Sequence, residues 1–122
     1  MKRIAVVDDE PDITTIINKG LERYGFTVDT FNDPQAALAR FKPSYYDLVI
    51  IDIRMPQING FDLYRELKKI DSGIRVCFLT AFEIYYEEFK KMFPTIDVKV
   101  FIRKPVSILN LVSQVNALIA SD

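Results

Sequence analysis

Histidine is absent from all 122 residues of the chain. Its absence removes imidazole general bases, zinc sites built on imidazole, and any phosphohistidine carried by the chain itself. The single cysteine, Cys77, has no partner for an internal disulfide, and its apolar neighbours suit a buried thiol in a reducing compartment. There is no basic block and the net charge is −1, so nothing marks the chain for nucleic acid. Membrane-length apolar runs are also missing: an uncharged stretch at 106–121 is broken by Ser, Asn and Gln. Met1-Lys2-Arg3 leads straight into a strand-like run, leaving no room for a signal peptide, so a cytoplasmic protein without membrane contact is expected. Carboxylates, Lys, Thr and backbone remain to carry any chemistry.

What is present reads as one folded unit. Apolar residues make up 49% and charged residues 27%, a balance that supports a core rather than disorder. A chain of this length can bury that core without a disulfide or structural metal, so one domain over 1–122 is expected. Ile4-Ala5-Val6-Val7 is β-rich. Residues 11–24 follow with Ile13, Ile16, Ile17, Leu21 and Tyr24 at near-helical spacing, and Gly25 suits the helix stop. Residues 26–31 alternate as a strand, and Asp33-Pro34 opens a short helix to Phe41. The fully apolar run 48–51 is a third strand. After a loop with Pro56 and Asn59-Gly60, a helix over 61–70 places Leu63, Leu67 and Ile70 on one face. A strand at 74–79, a helix at 83–93, a shorter strand at 99–102 and a last helix capped by Ser107 complete five β–α units. Apolar strands separated by helices predict an α/β fold, a doubly wound five-stranded parallel sheet in the order 2-1-3-4-5.

In such a sheet, sites lie beyond the carboxyl ends of the strands. Those ends carry Asp8-Asp9-Glu10, Asp52, Thr80-Ala81 and Lys104-Pro105. Each has an ordinary reading alone: Asp9 as a helix cap, Asp52 as a loop cap, Thr80 as a strand end, Lys104 as a solvated cation. Their joint placement is harder to explain so. Clustered carboxylates repel one another and raise each other's pKa, and a fold gathers them most readily around a cation. An all-oxygen ligand set favours Mg²⁺ or Mn²⁺ over zinc.

The chain resembles the response regulator receiver family of two-component signalling, whose domains have a flavodoxin-like (βα)5 fold. The resemblance rests on Val7-Asp8-Asp9-Glu10, on Ile51-Asp52-Ile53-Arg54-Met55-Pro56 with Gly60, on Leu79-Thr80-Ala81, and on Arg103-Lys104-Pro105. It implies a phosphoprotein switch, not a turnover enzyme, in which Asp52 accepts a phosphoryl group. The donor would be the phosphohistidine of a histidine kinase or a histidine phosphotransfer protein. It further implies that Asp8, Asp9, Asp52 and the Arg54 backbone carbonyl hold Mg²⁺, and that Lys104 and Thr80 bind the phosphoryl oxygens beside the small Ala81. Thr80 and Phe101 would be the switch pair, and Pro105 would follow a cis peptide bond. The output would pass through the face made by the 83–93 helix, the fifth strand and the last helix, toward a second copy or an output domain.

Two features depart from the commonest pattern. The stretch 93–98 lacks the usual glycine before the fifth strand, and Arg54 and Phe82 flank the site at positions that vary in the family. The 83–93 helix is rich in aromatics (Tyr85, Tyr86, Phe89, Phe93), which fit a core stripe. The last helix should bury Ile108, Leu111, Val112, Val115, Leu118 and Ile119, leaving an uncharged outer face with Leu109, Asn110, Ser113, Asn116 and Ala117 that suits a partner. Three other readings compete. A receiver-like interaction module that takes no phosphate would not need this full residue set. An aspartyl phosphatase of the haloacid dehalogenase type needs a second Asp two residues after the nucleophile, where Arg54 stands. An FMN carrier needs a Ser/Thr-Gly-rich loop after strand 1, where Asp8-Asp9-Glu10 would repel phosphate.

Overall fold

A computed structural model of the chain describes residues 2–80, 87, 90, 91 and 101–120. Among these, five strands form one parallel sheet: β1 (Arg3–Val7), β2 (Thr27–Phe31), β3 (Leu48–Asp52), β4 (Val76–Thr80) and β5 (Phe101–Arg103), in the order β2-β1-β3-β4-β5. The helices are α1 (Pro11–Arg23), α2 (Pro34–Arg40), α3 (Gly60–Ile70) and α4 (Ile108–Ala120). The strand order is the expected one. Most elements match their expected spans to within a residue or two; β4 starts two residues late and reaches Thr80.

The period-two alternation of the strands builds two cores. Ala5, Val7, Val49, Ile51, Val76 and Phe78 point to one side and pack with Ala37, Leu63 and Leu67 of α2 and α3. Ile4, Val6, Leu48, Ile50, Cys77 and Leu79 point to the other and pack with Ile17, Leu21, Leu111 and Val115 of α1 and α4. β3 is buried along its whole length because helices cover both faces, which is why its sequence is an unbroken apolar run. Cys77 is fully buried, and burial pushes its thiol up to about 12.

Local chemistry sets the helix ends. The Gln35 N–H donates to Asp33 Oδ1 (3.1 Å) at the start of α2, and the Asp62 N–H donates to Asn59 Oδ1 (2.9 Å) at the start of α3. Gly25 takes a φ of +91° just past α1, a conformation open to glycine without strain. Three apolar residues differ from their expected place on a core face. Ile16 is 50% exposed, Tyr24 49% and Ile70 36%, while Thr14 takes a buried position on α1. In α4, Leu111, Val112 and Val115 are buried, with Ile108, Leu118 and Ile119 half-buried; Leu109, Asn110, Ser113, Asn116 and Ala117 are exposed, as the spacing predicts. The Asn110 N–H reaches Ser107 Oγ (3.4 Å), in keeping with Ser107 as the cap. Of the expected 83–93 helix, Glu87, Lys90 and Lys91 are helical and exposed. Its aromatic residues, Ala81, Phe82 and the stretch 92–100 lie outside the described residues. No helix among the described residues is long and apolar enough to cross a membrane.

Candidate functional site

All five strands deliver polar side chains to one end of the sheet. β1 stops at Val7, and the chain turns through Asp8 to α1, which starts with Pro11 at its first turn. Glu10 occupies the N-cap of α1, but its side chain makes no capping hydrogen bond; Asp9 is not the cap either. The turn is braced by the Glu10 N–H donating to Asp8 Oδ1 (2.9 Å). From β2, the Asn32 amide donates to the Asp8 carbonyl (2.8 Å) and to Thr14 Oγ1 (3.0 Å). These contacts hold the first carboxylate against the sheet.

Asp52 ends β3, beside β1 and β4, and is buried with Asp8 and Thr80. The Arg54 N–H lies 3.4 Å from Asp52 Oδ1, and the Ile53 N–H donates to the Leu79 carbonyl (3.1 Å), fixing the turn after the strand. Gly60 packs directly under this turn. Its N–H donates to the Ile53 carbonyl (2.8 Å), and a Cβ there would meet the Asp52 carbonyl oxygen at 2.5 Å. Lys104 follows β5, its N–H donating to the Thr80 carbonyl (2.8 Å), and the Lys104–Pro105 peptide is cis, as expected.

The Lys104 ammonium sits among three carboxylates: Asp8 Oδ2 at 3.0 Å, Glu10 Oε1 at 3.1 Å and Asp52 Oδ2 at 3.4 Å. Burial alone would lower its pKa, but the close contact with Asp8, the hydrogen bond to Glu10 and the charges of Asp52 and Asp8 outweigh that and raise it. Burial raises Asp8, against the Glu10 N–H and Lys104, which lower it. Burial, joined by the Asp8 charge, pushes Asp52 up to about 7 despite Lys104 and the Arg54 N–H. Lys104 therefore compensates this pocket of negative charge only in part.

The residue set fits a hard divalent cation. Asp8, Asp9, Glu10 and Asp52 can each offer an oxygen, all within 4.8 Å of one another. Asp8 Oδ2 is buried without a well-oriented hydrogen bond, its close contact being the Lys104 ammonium. Hard oxygen donors suit Mg²⁺ or Mn²⁺. Beside the cluster lies a cavity of about 170 Å³ lined by Glu10, Asp52, Ile53, Arg54, Thr80 and Lys104.

The structure thus gathers Asp8, Asp9, Asp52, Thr80 and Lys104 as their strand-end positions predict, with the Arg54 backbone adjoining Asp52. Ala81 lies outside the described residues. Phe101 is half-buried on β5, its ring 5.7 Å from that of Phe78, which stands opposite it in the β4–β5 register. Two participants were not singled out by the sequence. Glu10 contacts Lys104 across 94 positions, and Asn32 braces Asp8. Glu10 adjoins the acidic pair and was open to suspicion; Asn32 carries no local signal, because its contact depends on β2 lying beside β1.

The response regulator receiver domain model matches residues 4–116, and the chain belongs to this family: it is a receiver domain of the two-component response regulators. It is 34% identical over 91 residues to the alkaline phosphatase synthesis transcriptional regulatory protein PhoP of Bacillus subtilis, a match covering 75% of this chain and 37% of PhoP. The chain therefore spans well under half the length of that curated relative. It is 32% identical to the response regulator TrrA of Thermotoga maritima, crystallised in complex with Mg(2+)-BeF; the match covers 97% of this chain and 99% of TrrA, with a TM-score of 0.81. TrrA was also crystallised in complex with the histidine kinase ThkA, and that structure superposes with a TM-score of 0.75, covering 97% of this chain and 98% of TrrA.

Proposed function

We propose that this receiver switches by accepting a phosphoryl group on Asp52 from the phosphohistidine of a histidine kinase or histidine phosphotransfer protein. One observation carries the reading: the Lys104 ammonium lies 3.4 Å from Asp52 Oδ2 at the wall of a cavity that Thr80 also lines. A carboxylate oxygen of Asp52 attacks phosphorus; the O–P bond forms as the donor N–P bond breaks, and that electron pair leaves on the imidazole nitrogen. Lys104, a compact positive charge, meets the phosphoryl oxygens together with the Thr80 hydroxyl. Asp8, Asp9, Asp52 and the Arg54 carbonyl would hold Mg²⁺, with Mn²⁺ as a substitute. When bound, it supplies Lewis-acid charge stabilisation to the transfer. TrrA's complexes with Mg(2+)-BeF and with a kinase support the same reading for this chain. The domain, taken as 1–122, would act in the cytoplasm and catalyse only its own phosphorylation and autodephosphorylation. Incubation with phosphoramidate and Mg²⁺ should add one phosphate by intact mass, and peptide mapping should place it on Asp52. A wild-type adduct at another residue, or none, would refute the assignment.

The acidic cluster is open to a separate test. Asp9→Ala should weaken Mg²⁺ binding about tenfold or more, the scale on which a lost carboxylate ligand acts. Calorimetric titration checks this, and an unchanged affinity would place the metal elsewhere.

Output would run through Thr80 and Phe101. As the Thr80 hydroxyl turns toward the phosphoryl group, Phe101 moves further inward against Phe78, changing the surface of β5 and α4. The uncharged outer side of α4, with Leu109 70% exposed, suits a homodimer or an output domain there. Beryllofluoride should alter hydrogen exchange in β5 and α4 as well as in the Asp52 loop. A response confined to that loop would exclude this route.

A further inference from the structure

The phosphotransfer reading leaves one carboxylate at the site without a role. Glu10 lies at the rim, its side chain 60% exposed, yet it contacts Lys104 at 3.1 Å. Its backbone is fixed by the hydrogen bond from its own N–H to Asp8, and its side chain caps nothing. An ammonium has three donors. In this arrangement Asp8, Glu10 and Asp52 surround the ammonium at 3.0, 3.1 and 3.4 Å, but among the described residues only Glu10 Oε1 is placed to accept a hydrogen bond from it, and the Lys104 side chain is only 15% exposed. The donor held by Glu10 is one that a phosphoryl oxygen on Asp52 does not receive.

We infer that Glu10 is a latch on Lys104, a positioning residue that holds the ammonium in a resting place and must release it before it can engage the phosphoryl group. The inference rests on the phosphotransfer reading above. The three holds on Lys104 are not equivalent. Asp8 and Asp52 are buried members of the proposed metal set, and charge neutralisation there loosens their grip. Glu10 stands outside on the rim, where that neutralisation relieves it least, so its contact persists until Lys104 moves. Glu10 also lines the cavity that the donor must enter, and its negative charge opposes an anionic phosphoryl donor.

Two variants separate the contact from the charge. Glu10→Gln removes the charge and weakens the contact. Glu10→Asp keeps the charge but is one methylene too short to span to Lys104. Both should raise the second-order rate of phosphorylation by phosphoramidate about three- to fivefold, the scale of a partly exposed ion pair. Both should also tighten beryllofluoride binding and shift the Lys104 NH₃⁺ resonance in the absence of any donor. Mg²⁺ affinity should fall by clearly less than in Asp9→Ala. A rate unchanged or reduced in either variant overturns the latch, as does acceleration confined to Glu10→Gln, which would mean a charge effect alone. A tenfold loss of Mg²⁺ affinity would also overturn it, by making Glu10 a metal ligand. If the wild type itself takes no phosphate on Asp52, the failure belongs to the proposed function; an intact wild-type adduct with unaccelerated variants counts against the latch only.

Discussion

Asp52→Asn is expected to lose phosphorylation completely and, without metal, to be more stable than the wild type. The first effect follows from chemistry, because an amide oxygen is too poor a nucleophile to form the acyl phosphate. The second follows from electrostatics. Burial and the Asp8 charge raise the folded-state pKa of Asp52 from 3.8 to about 7. A raised acid pKa means the folded state holds its proton over a range where the unfolded chain has released it. Stability is then fully present below the unfolded pKa and is lost as pH rises through about 7. Above that, the wild type carries an ionised buried carboxylate that the variant lacks. The Asn form should therefore match the wild type near pH 4 and exceed it by something on the order of 2–4 kcal/mol at pH 8. Urea unfolding in EDTA at several pH values measures the gap. A gap constant with pH would show that Asp52 does not titrate in this way. Saturating Mg²⁺ should narrow the gap at pH 8 by stabilising the wild type selectively.

Gly60→Ala is expected to be the most damaging single-methyl change at the site. The added Cβ would lie 2.5 Å from the Asp52 carbonyl oxygen, 2.9 Å from the Ile53 Cα and 3.0 Å from the Ile51 Cγ2. The two nearest are backbone atoms at the end of β3, so relief means moving the strand end or α3. Overpacking of this kind costs about 1–3 kcal/mol. Displacing Asp52 relative to Lys104 should slow phosphorylation by about tenfold or more. Gly20→Ala is the matched control. The three atoms nearest its Cβ all belong to the Ile108 side chain, at 2.6, 2.7 and 3.0 Å, so relief there moves a side chain and not a strand end, and about 1 kcal/mol of helix propensity offsets part of the cost. Urea unfolding and phosphorylation rates should place Gly60→Ala well below both the wild type and Gly20→Ala. Equal stabilities for the two variants would mean that the close approach at Gly60 has no energetic consequence.

The sequence already determined the sheet. Unbroken apolar runs such as 48–51 occur where helices cover both faces, and their alternation with helix-period segments leaves few topologies once crossovers are right-handed. It also determined which residues reach the functional edge, because a parallel sheet brings all its strand ends to one side; Asp8, Asp52, Thr80 and Lys104 need only sit at strand ends to meet. The exposure of Ile16 and Ile70 could not be read in the same way. Helical spacing says that residues share a stripe, but the width of the stripe that is covered depends on how closely the neighbouring helix approaches. The electrostatic state of the site was equally hidden. A carboxylate's pKa depends on depth and on distances of a few ångströms, and the partition of Lys104 among Asp8, Glu10 and Asp52 is a matter of side-chain reach across a gap between strands. Local chain physics therefore placed the parts, and tertiary packing alone decided how strongly their charges act on one another.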